Sequence, residues 1–460
     1  MRWAVVLSGL VILFTITMML AAQQPPATAP PATHPRTPPP QAVPPASPQG
    51  LPPSSPAPLP AALAGGQAPV PPAHTPDTPL SRFEPLAAYP ATTQFSVRGV
   101  LLGSAWMGKM HQPHGRFLAG YNPALRQPLA GEHDLKQARC ALAMAQAAQF
   151  TGKSEYKAIA SQTILTLLAA TKPDPADPNC RVPVHSSLVC NRVGFAALVA
   201  LAIYELPNPN EKELEAAEQL CQFLRSRLKT DGSVHYTDGP QDIPTQIDPA
   251  GVHEYPGYAL RALAISQRLR PAPWKKEAVC RGLAYYHKLF QSQPQPRLAA
   301  NLVPAATELH RQTPAAELAV MVQEWVDWLC ELQIGLTDSR TPQWAGGFRW
   351  TGAGAPSTEV LETATNAMIV EAIAGGFQLT QTTGDLSRGR KYQAAAAAGA
   401  EFLCRQEFLE ANTRHFEDTF RANYVIGAFY RTPWDGNLET DVTAACVTAL
   451  VRFLLSGAGS

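Results

Sequence analysis

The residues of this chain best suited to proton transfer stand where helices are predicted to begin. His253, Glu254 and Tyr255 come directly before Pro256, and proline suits the first turn of a helix. Glu362 and Asp441 open two later helical stretches, while Arg139 and Arg192 come early in two preceding ones. Carboxyl groups in pairs can serve as acid and base across a glycosidic bond. A tyrosine or histidine can instead take a proton beside a carboxylate, with arginine neutralising that carboxylate. Glu254 with Tyr255 is the leading candidate, because a glutamate at a helix start is costly to bury without a partner. Plainer duties compete for the same residues. Asp134 and Asp441 suit helix starts as caps, and Arg139 and Arg192 suit ion pairs with those acids.

Further polar residues share these positions: Glu132, His133 and Asp134, Asn191, Asn301, Glu359 and Asn366. Aromatic residues lie in glycine-containing segments, with Trp344, Phe348 and Trp350 in one and Tyr430 in another. Such residues can stack on a ligand or simply pack the loops. Of the eight cysteines, six fall among small or apolar helical neighbours and read as buried thiols. Cys180 and Cys190 bracket a loop and would suit a disulfide in an exported protein. Metal ligation by that pair with His185, or by His111 and His114, lacks further ligands, so no metal and no cofactor is expected. The chain has no Gly-x-Ser-x-Gly, His-Glu-x-x-His, phosphate-binding loop or Cys-x-x-Cys, which weighs against several common enzyme classes.

The elements that carry these residues occupy only part of the chain. The 37 Lys and Arg balance 36 Asp and Glu, so no basic excess points to nucleic acid. Residues 1–22 hold one early arginine and an apolar run of roughly 20 residues, long enough to span a bilayer. They read as a membrane anchor or as a signal peptide, with the remainder exported to the periplasm or cell exterior. Residues 23–80 are dominated by Pro, Ala, Gln, Ser and Thr, with little to bury, and read as a disordered, polyproline-like stalk.

Residues 81–460 form the folded domain and read as all-α. Helical spacing and turn residues predict hairpins at 134–149 with 155–170, 190–205 with 210–229, 255–269 with 274–291, 297–311 with 314–333, and 357–382 with 388–409. A last helix is predicted at 441–456. The first helix of each pair is rich in small residues around an Ala-Leu pair, as in Ala141-Leu142, Ala197-Leu198 and Ala259-Leu260. Some second helices are more charged, as in 211–229, which suggests an inner and an outer layer. Short β-hairpins or loops containing Gly115, Gly232, Gly346-Gly347 and Gly427 lie between hairpins.

These repeated hairpins, with inner Ala-Leu helices and Gly-Gly-Phe-type rim loops, resemble the (α/α) toroid superfamily over about 115–456. That group includes glycan-active hydrolases, lyases and epimerases and the terpenoid cyclase-like proteins. The resemblance implies six hairpins or an incomplete ring, since eleven helices are visible and a twelfth would have to lie within 80–110. It also implies a site in the funnel mouth where the inner helices begin, bringing His253, Glu254, Tyr255, Glu362 and Asp441 together as catalytic candidates. Arg139, Arg192, Asn301, Trp344 and Trp350 would then bind substrate. The expected function is action on a polysaccharide or glycoconjugate in or outside the cell envelope. A toroid that binds a glycan or protein without catalysis is a second expectation. A terpenoid cyclase-like enzyme is a third, though the chain has no Asp-rich acid motif.

Overall fold

The computed structural model describes residues 78–459, apart from 132, 187–188, 237–250, 336, 339–340 and 351–359. The apolar segment 1–22 and nearly all of the stalk 23–80 lie outside the described residues, as do Glu132 and Glu359. Among the described residues, no helix is long and apolar enough to cross a membrane.

A helix at Ala91–Met110 (α1) opens the array. Helices then follow in pairs: α2 (Asp134–Thr151) and α3 (Ser154–Ala169), α4 (Arg192–Tyr204) and α5 (Glu211–Ser226), α6 (Tyr255–Leu269) and α7 (Pro273–Ser292). The array continues with α8 (Pro296–Gln312) and α9 (Ala316–Glu331), then α10 (Thr363–Thr383) and α11 (Leu386–Arg405). A short helix, α12 (Asp418–Tyr424), precedes the last one, α13 (Thr440–Ser456). Packing neighbours run α2, α4, α6, α8, α10, α13 and back to α2, which closes an inner ring. Outside it, α3, α5, α7, α9 and α11 each back the inner helix before them, and α1 backs α13. The fold is therefore a complete (α/α)6 toroid, and α1 is the helix that completes it.

The two layers differ in composition for a physical reason. An inner helix has neighbours on every side, so it is apolar or small all round. Every residue of α4 from Val193 to Tyr204 is buried. Close approach also requires absent side chains. A Cβ at Gly257 would stand 2.4 Å from the Asn301 carbonyl oxygen, and one at Gly194 would stand 2.5 Å from the Tyr255 ring. Outer helices face water on one side. In α5 the buried positions Ala216, Ala217, Leu220, Cys221, Phe223 and Leu224 form one stripe. Asn210 and Glu213 close a capping box at its start, satisfying two otherwise orphaned donors. Fully buried Trp106, Trp325, Tyr286 and Tyr392 fill gaps in the packing, each contributing roughly 1.5–3 kcal/mol by area.

At the rim where inner helices begin, one loop design recurs. Phe117, Val234, Phe348 and Phe429 are buried, and each pairs with a residue near the end of the preceding outer helix: His111, Leu228, Gln333 and Glu407. Two positions earlier stand Gly115, Gly232, Gly346 and Gly427, all with positive φ. The requirement is plainest at Gly346 (φ 85°) and Gly427 (φ 96°). A Cβ there would meet the Ala398 oxygen of α11 at 2.2 Å or the Leu102 oxygen of α1 at 2.3 Å. Each of these loops thus reaches from the end of one outer helix onto the next. The Phe117, Phe348 and Phe429 amides donate to Gln137, Asn366 and Thr443 at 2.7, 2.8 and 3.2 Å. Those acceptors are the fourth residues of α2, α10 and α13.

Short strands complete this rim. β1 (Gly120–Asn122) lies antiparallel between β2 (Gln127–Pro128) and β5 (Leu438–Glu439). β3 (Thr171–Asp174) pairs with β4 (Asp177–Pro183) ahead of α4. The opposite face holds the inner-helix C-termini. There Thr93 donates to the Gly459 carbonyl, and Thr78 rests against Gly152, the C-cap of α2.

The largest differences from expectation fall at two helix boundaries. The helix predicted from 357 begins at Thr363, because Val360 pairs with Arg349 and the Leu361 amide donates to Phe348 O. The helix predicted to 409 ends at Arg405, because Glu407 pairs with Phe429.

Candidate functional site

The acids at the inner-helix starts are neither capping groups nor isolated. Glu254, Glu362 and Glu439 precede α6, α10 and α13, while Asp134 and Asp441 lie in the first turns of α2 and α13. None of these helix starts has a side-chain capping bond. Their carboxylates still gain from the partial positive charge at a helix N-terminus.

What holds them is a closed circuit of alternating charge. Arg139 donates to Glu254 at 3.0 Å, and Glu254 also accepts from Arg297 at 2.7 Å. Arg297 donates to Glu362 at 3.1 Å, and Glu362 accepts from Arg431 at 3.4 Å. Arg431 lies 3.5 Å from Glu439, which accepts from Lys136 at 2.7 Å. Lys136 lies 3.2 Å from Asp441, and Asp441 lies 3.7 Å from Arg139, where the circuit closes. It joins α2, α6, α8, α10 and α13 at the mouth. One side of it is buried, through Glu254, Arg139 and Asp441, and the lip is half exposed at Arg297, Glu362 and Arg431.

Two groups on or next to the buried side have a buried polar atom without an aligned hydrogen bond. His253 Nδ1 is buried and has no hydrogen-bond partner among the described residues. Burial, and after it the Arg297 charge, hold this imidazole below its ordinary range against the pull of Glu254. Asp441 Oδ1 is also buried and lacks an aligned hydrogen bond, although Lys136 is near. Burial works against the charge on Lys136, yet Asp441 and Glu439 raise its pKa overall. A second cluster stands at the start of α2, where Asp134 meets Arg116 and His185, each at 2.6 Å.

Other predicted site residues make packing or backbone contacts. Tyr255 is buried, with its ring against Gly194 of α4. Asn301 donates to the Arg297 carbonyl at 2.8 Å and so steadies the first turn of α8. Asn191 caps α4 by accepting from the Gly194 amide. Arg192 donates to the Pro183 carbonyl at 2.8 Å and lies over the Phe223 ring of α5. Trp350 packs edge-on to Trp328 of α9, with centroids 5.2 Å apart, and Phe348 is fully buried. Trp344 faces another indole, Trp434, at 5.9 Å. No bond joins Cys180 and Cys190, although both are buried. Cys180 sits within β4 and Cys190 just ahead of the α4 cap, so a disulfide there remains a proposal. Among the described residues, no group of three or more His, Cys, Asp or Glu is placed to hold a metal ion.

Sequence reading passed over Lys136, Arg297, Arg431, Glu439 and Trp434. Lys136 and Arg139, three apart on one helix, share a face and gave a usable signal. The Glu439-x-Asp441 alternation was another. Nothing local marks Arg297 or Arg431, because their partners are far away in the chain.

No protein-family model matches the sequence, and no curated protein does. Solved structures do. The chain is similar to a D-mannose isomerase at TM-score 0.56 and 15% identity, over 79% of this chain and 99% of that one. It is similar to an unsaturated glucuronyl hydrolase specific for heparin at 0.53 and 12%, over 78% and 96%. An inactive variant of an α-1,6-mannanase of Salegentibacter sp., in complex with α-1,6-mannotriose, matches at 0.52 and 11%, over 79% and 99%. At these identities the likeness establishes the fold.

Proposed function

We infer that this protein is a carbohydrate-active toroid enzyme whose mouth moves a proton on a bound sugar. The observation that carries the reading is the charged circuit, Asp441 included, with His253 beside it. Eight charged side chains from separate elements are gathered where the inner helices begin, although ion pairs of this kind contribute little to stability over apolar packing. The similar toroids named as sugar isomerase, glycan hydrolase and mannanase support the same class. Residues 1–22 and 23–80 support the further reading that the domain is exported, by an anchor or a cleaved signal, to meet a polysaccharide or glycoconjugate outside the cytoplasm.

In this scheme His253 is the proton carrier. A depressed pKa keeps the ring neutral near neutral pH, and a neutral imidazole with an open nitrogen can accept a proton. Asp441, with Lys136 3.2 Å from its Oδ1, is the second candidate for proton transfer. Glu254 has accepted bonds from two guanidinium groups, so it positions Arg139 and Arg297 for ligand hydroxyls. Purified protein screened on acidic and neutral polysaccharides tests this. His253→Asn should lower kcat by about a hundredfold or more while the fold is kept. Glu254→Gln should weaken activity through misplaced arginines. If His253→Asn and Asp441→Asn both turn over like the parent, proton transfer at these residues is excluded.

One observation favours a second reading, glycan binding without chemistry. Glu254 and Glu362 each meet two arginines, and Asp441 lies between Lys136 and Arg139, so every acid of the circuit sits among cations. Binding with no turnover on the whole panel would select it.

A further inference from the structure

We propose that Trp344 and Trp434 form an outer subsite that stacks on an uncharged sugar ring, so that the ligand is a neutral glycan chain reaching beyond the mouth. This rests on the carbohydrate reading above and adds to it a charge class, a minimum length and a place.

A single exposed aromatic residue needs no special explanation. This one is held at a particular place. Trp434 is 54% exposed, on a turn closed by the Asp435 amide donating to Thr432 O at 3.1 Å. That turn is pinned to the start of α10, where the Thr363 amide donates to Arg431 O at 3.0 Å. Trp344 ends the short 3-10 turn Pro342–Trp344, whose segment is pinned to the same helix start by the Leu361 amide donating to Phe348 O at 2.9 Å. Two loops from different repeats therefore flank Glu362, and each contributes an indole. The rings are 5.9 Å apart and tilted by 59°, with Trp344 packed against the core and Trp434 open to solvent. A tilted pair leaves one indole face free, and the C–H face of a pyranose is apolar enough to cover it.

The charge class follows from the neighbouring circuit. Arg139, Arg297, Arg431 and Lys136 each already face a carboxylate. Arg431, three residues before Trp434, meets Glu362, Glu439 and Asp435. Among the described residues, a sugar carboxylate arriving here would find no uncompensated cation and would lie close to several acids. Hydroxyl groups can share these donors and acceptors without adding charge.

The test uses the full chain and its Trp434→Ala and Trp434→Phe variants. Affinity is measured for neutral gluco- and manno-oligosaccharides from mono- to hexasaccharide, and for uronate oligosaccharides of equal length. The parent should bind longer neutral chains more tightly than short ones and more tightly than uronate chains. Trp434→Ala should lose about tenfold on long chains and leave monosaccharide binding unchanged, a loss on the scale of one aromatic contact. Trp434→Phe should recover most of it. Parent-like affinities of Trp434→Ala at every length, or tighter binding of uronate chains, would overturn the proposal and leave carbohydrate binding intact. Failure of the parent to bind any of these sugars would remove the carbohydrate reading together with the subsite. The exposed position of Trp434 makes the alanine variant a poor candidate for unfolding, and its circular dichroism checks that.

Discussion

Glu407 is fully buried beside α1, and neither of its carboxylate oxygens has a hydrogen-bond partner. Burial pushes its pKa up from the ordinary 4.5 to about 8, with the Arg98 charge pulling the other way. The buried thiols Cys404 and Cys446 are its other titratable neighbours. The sign is fixed by which state holds the proton more tightly. Here it is the folded one, so the contribution to stability is complete below about pH 4.5 and is lost as pH rises to about 8. At about 1.4 kcal/mol per tenfold change in proton affinity, the loss amounts to a few kcal/mol. Urea unfolding of the parent between pH 5 and pH 8, about the two ends of that window, should show a decline that Glu407→Gln removes. A flat parent profile would contradict it. In the charged circuit, unlike at Glu407, each carboxylate lies near a cation. The circuit could not be read from the chain, since Lys136 meets Glu439 across 303 residues and Arg139 meets Glu254 across 115. Residue types at helix starts were legible, but the partner of each was not.

At the level of elements, the repeating rim loop was visible as glycine and aromatic punctuation, whereas its role in joining outer helices was not. Gly346→Ala provides the measure. Its φ of 85° and the Ala398 oxygen 2.2 Å from a new Cβ should together cost about 2–4 kcal/mol in urea unfolding. Gly384→Ala is the control: its φ is also positive, at 73°, but nothing lies within 4 Å of a new Cβ. That substitution should cost only about 1–2 kcal/mol. Equal losses would mean that the loop does not depend on its contact with α11. The helix that the hairpin count, not local pattern, located within 80–110, α1, shows why propensity misleads here. Gly99, Gly103 and Gly108 weaken its helical signal. Two of them are set by packing, since a Cβ at Gly99 would meet Leu450 at 2.9 Å and one at Gly103 would meet Val447 at 2.8 Å. The same small residues that suppress a local signal let α1 close against α13.

At the scale of the whole molecule, that closure makes the helical array a ring without a privileged starting point. Thr93 already donates to the carbonyl of Gly459. Joining residue 459 to the segment before α1 by a short flexible linker, and opening the chain between Pro207 and Asn208, should give a folded protein. Asn208 is exposed, and the cut spares the Asn210 cap of α5. Helical circular dichroism with a single cooperative melt is the expected outcome, and a non-cooperative melt would show that closure through α1 and α13 tolerates no such rewiring.

Thr78 rests at the C-terminal end of α2, and the inner helices begin at the other rim. Thr78 and the mouth that carries the charged circuit are therefore antipodal. In the exported protein proposed above, attachment through residue 78 leaves this mouth clear, so that a bound chain does not have to pass the point of attachment.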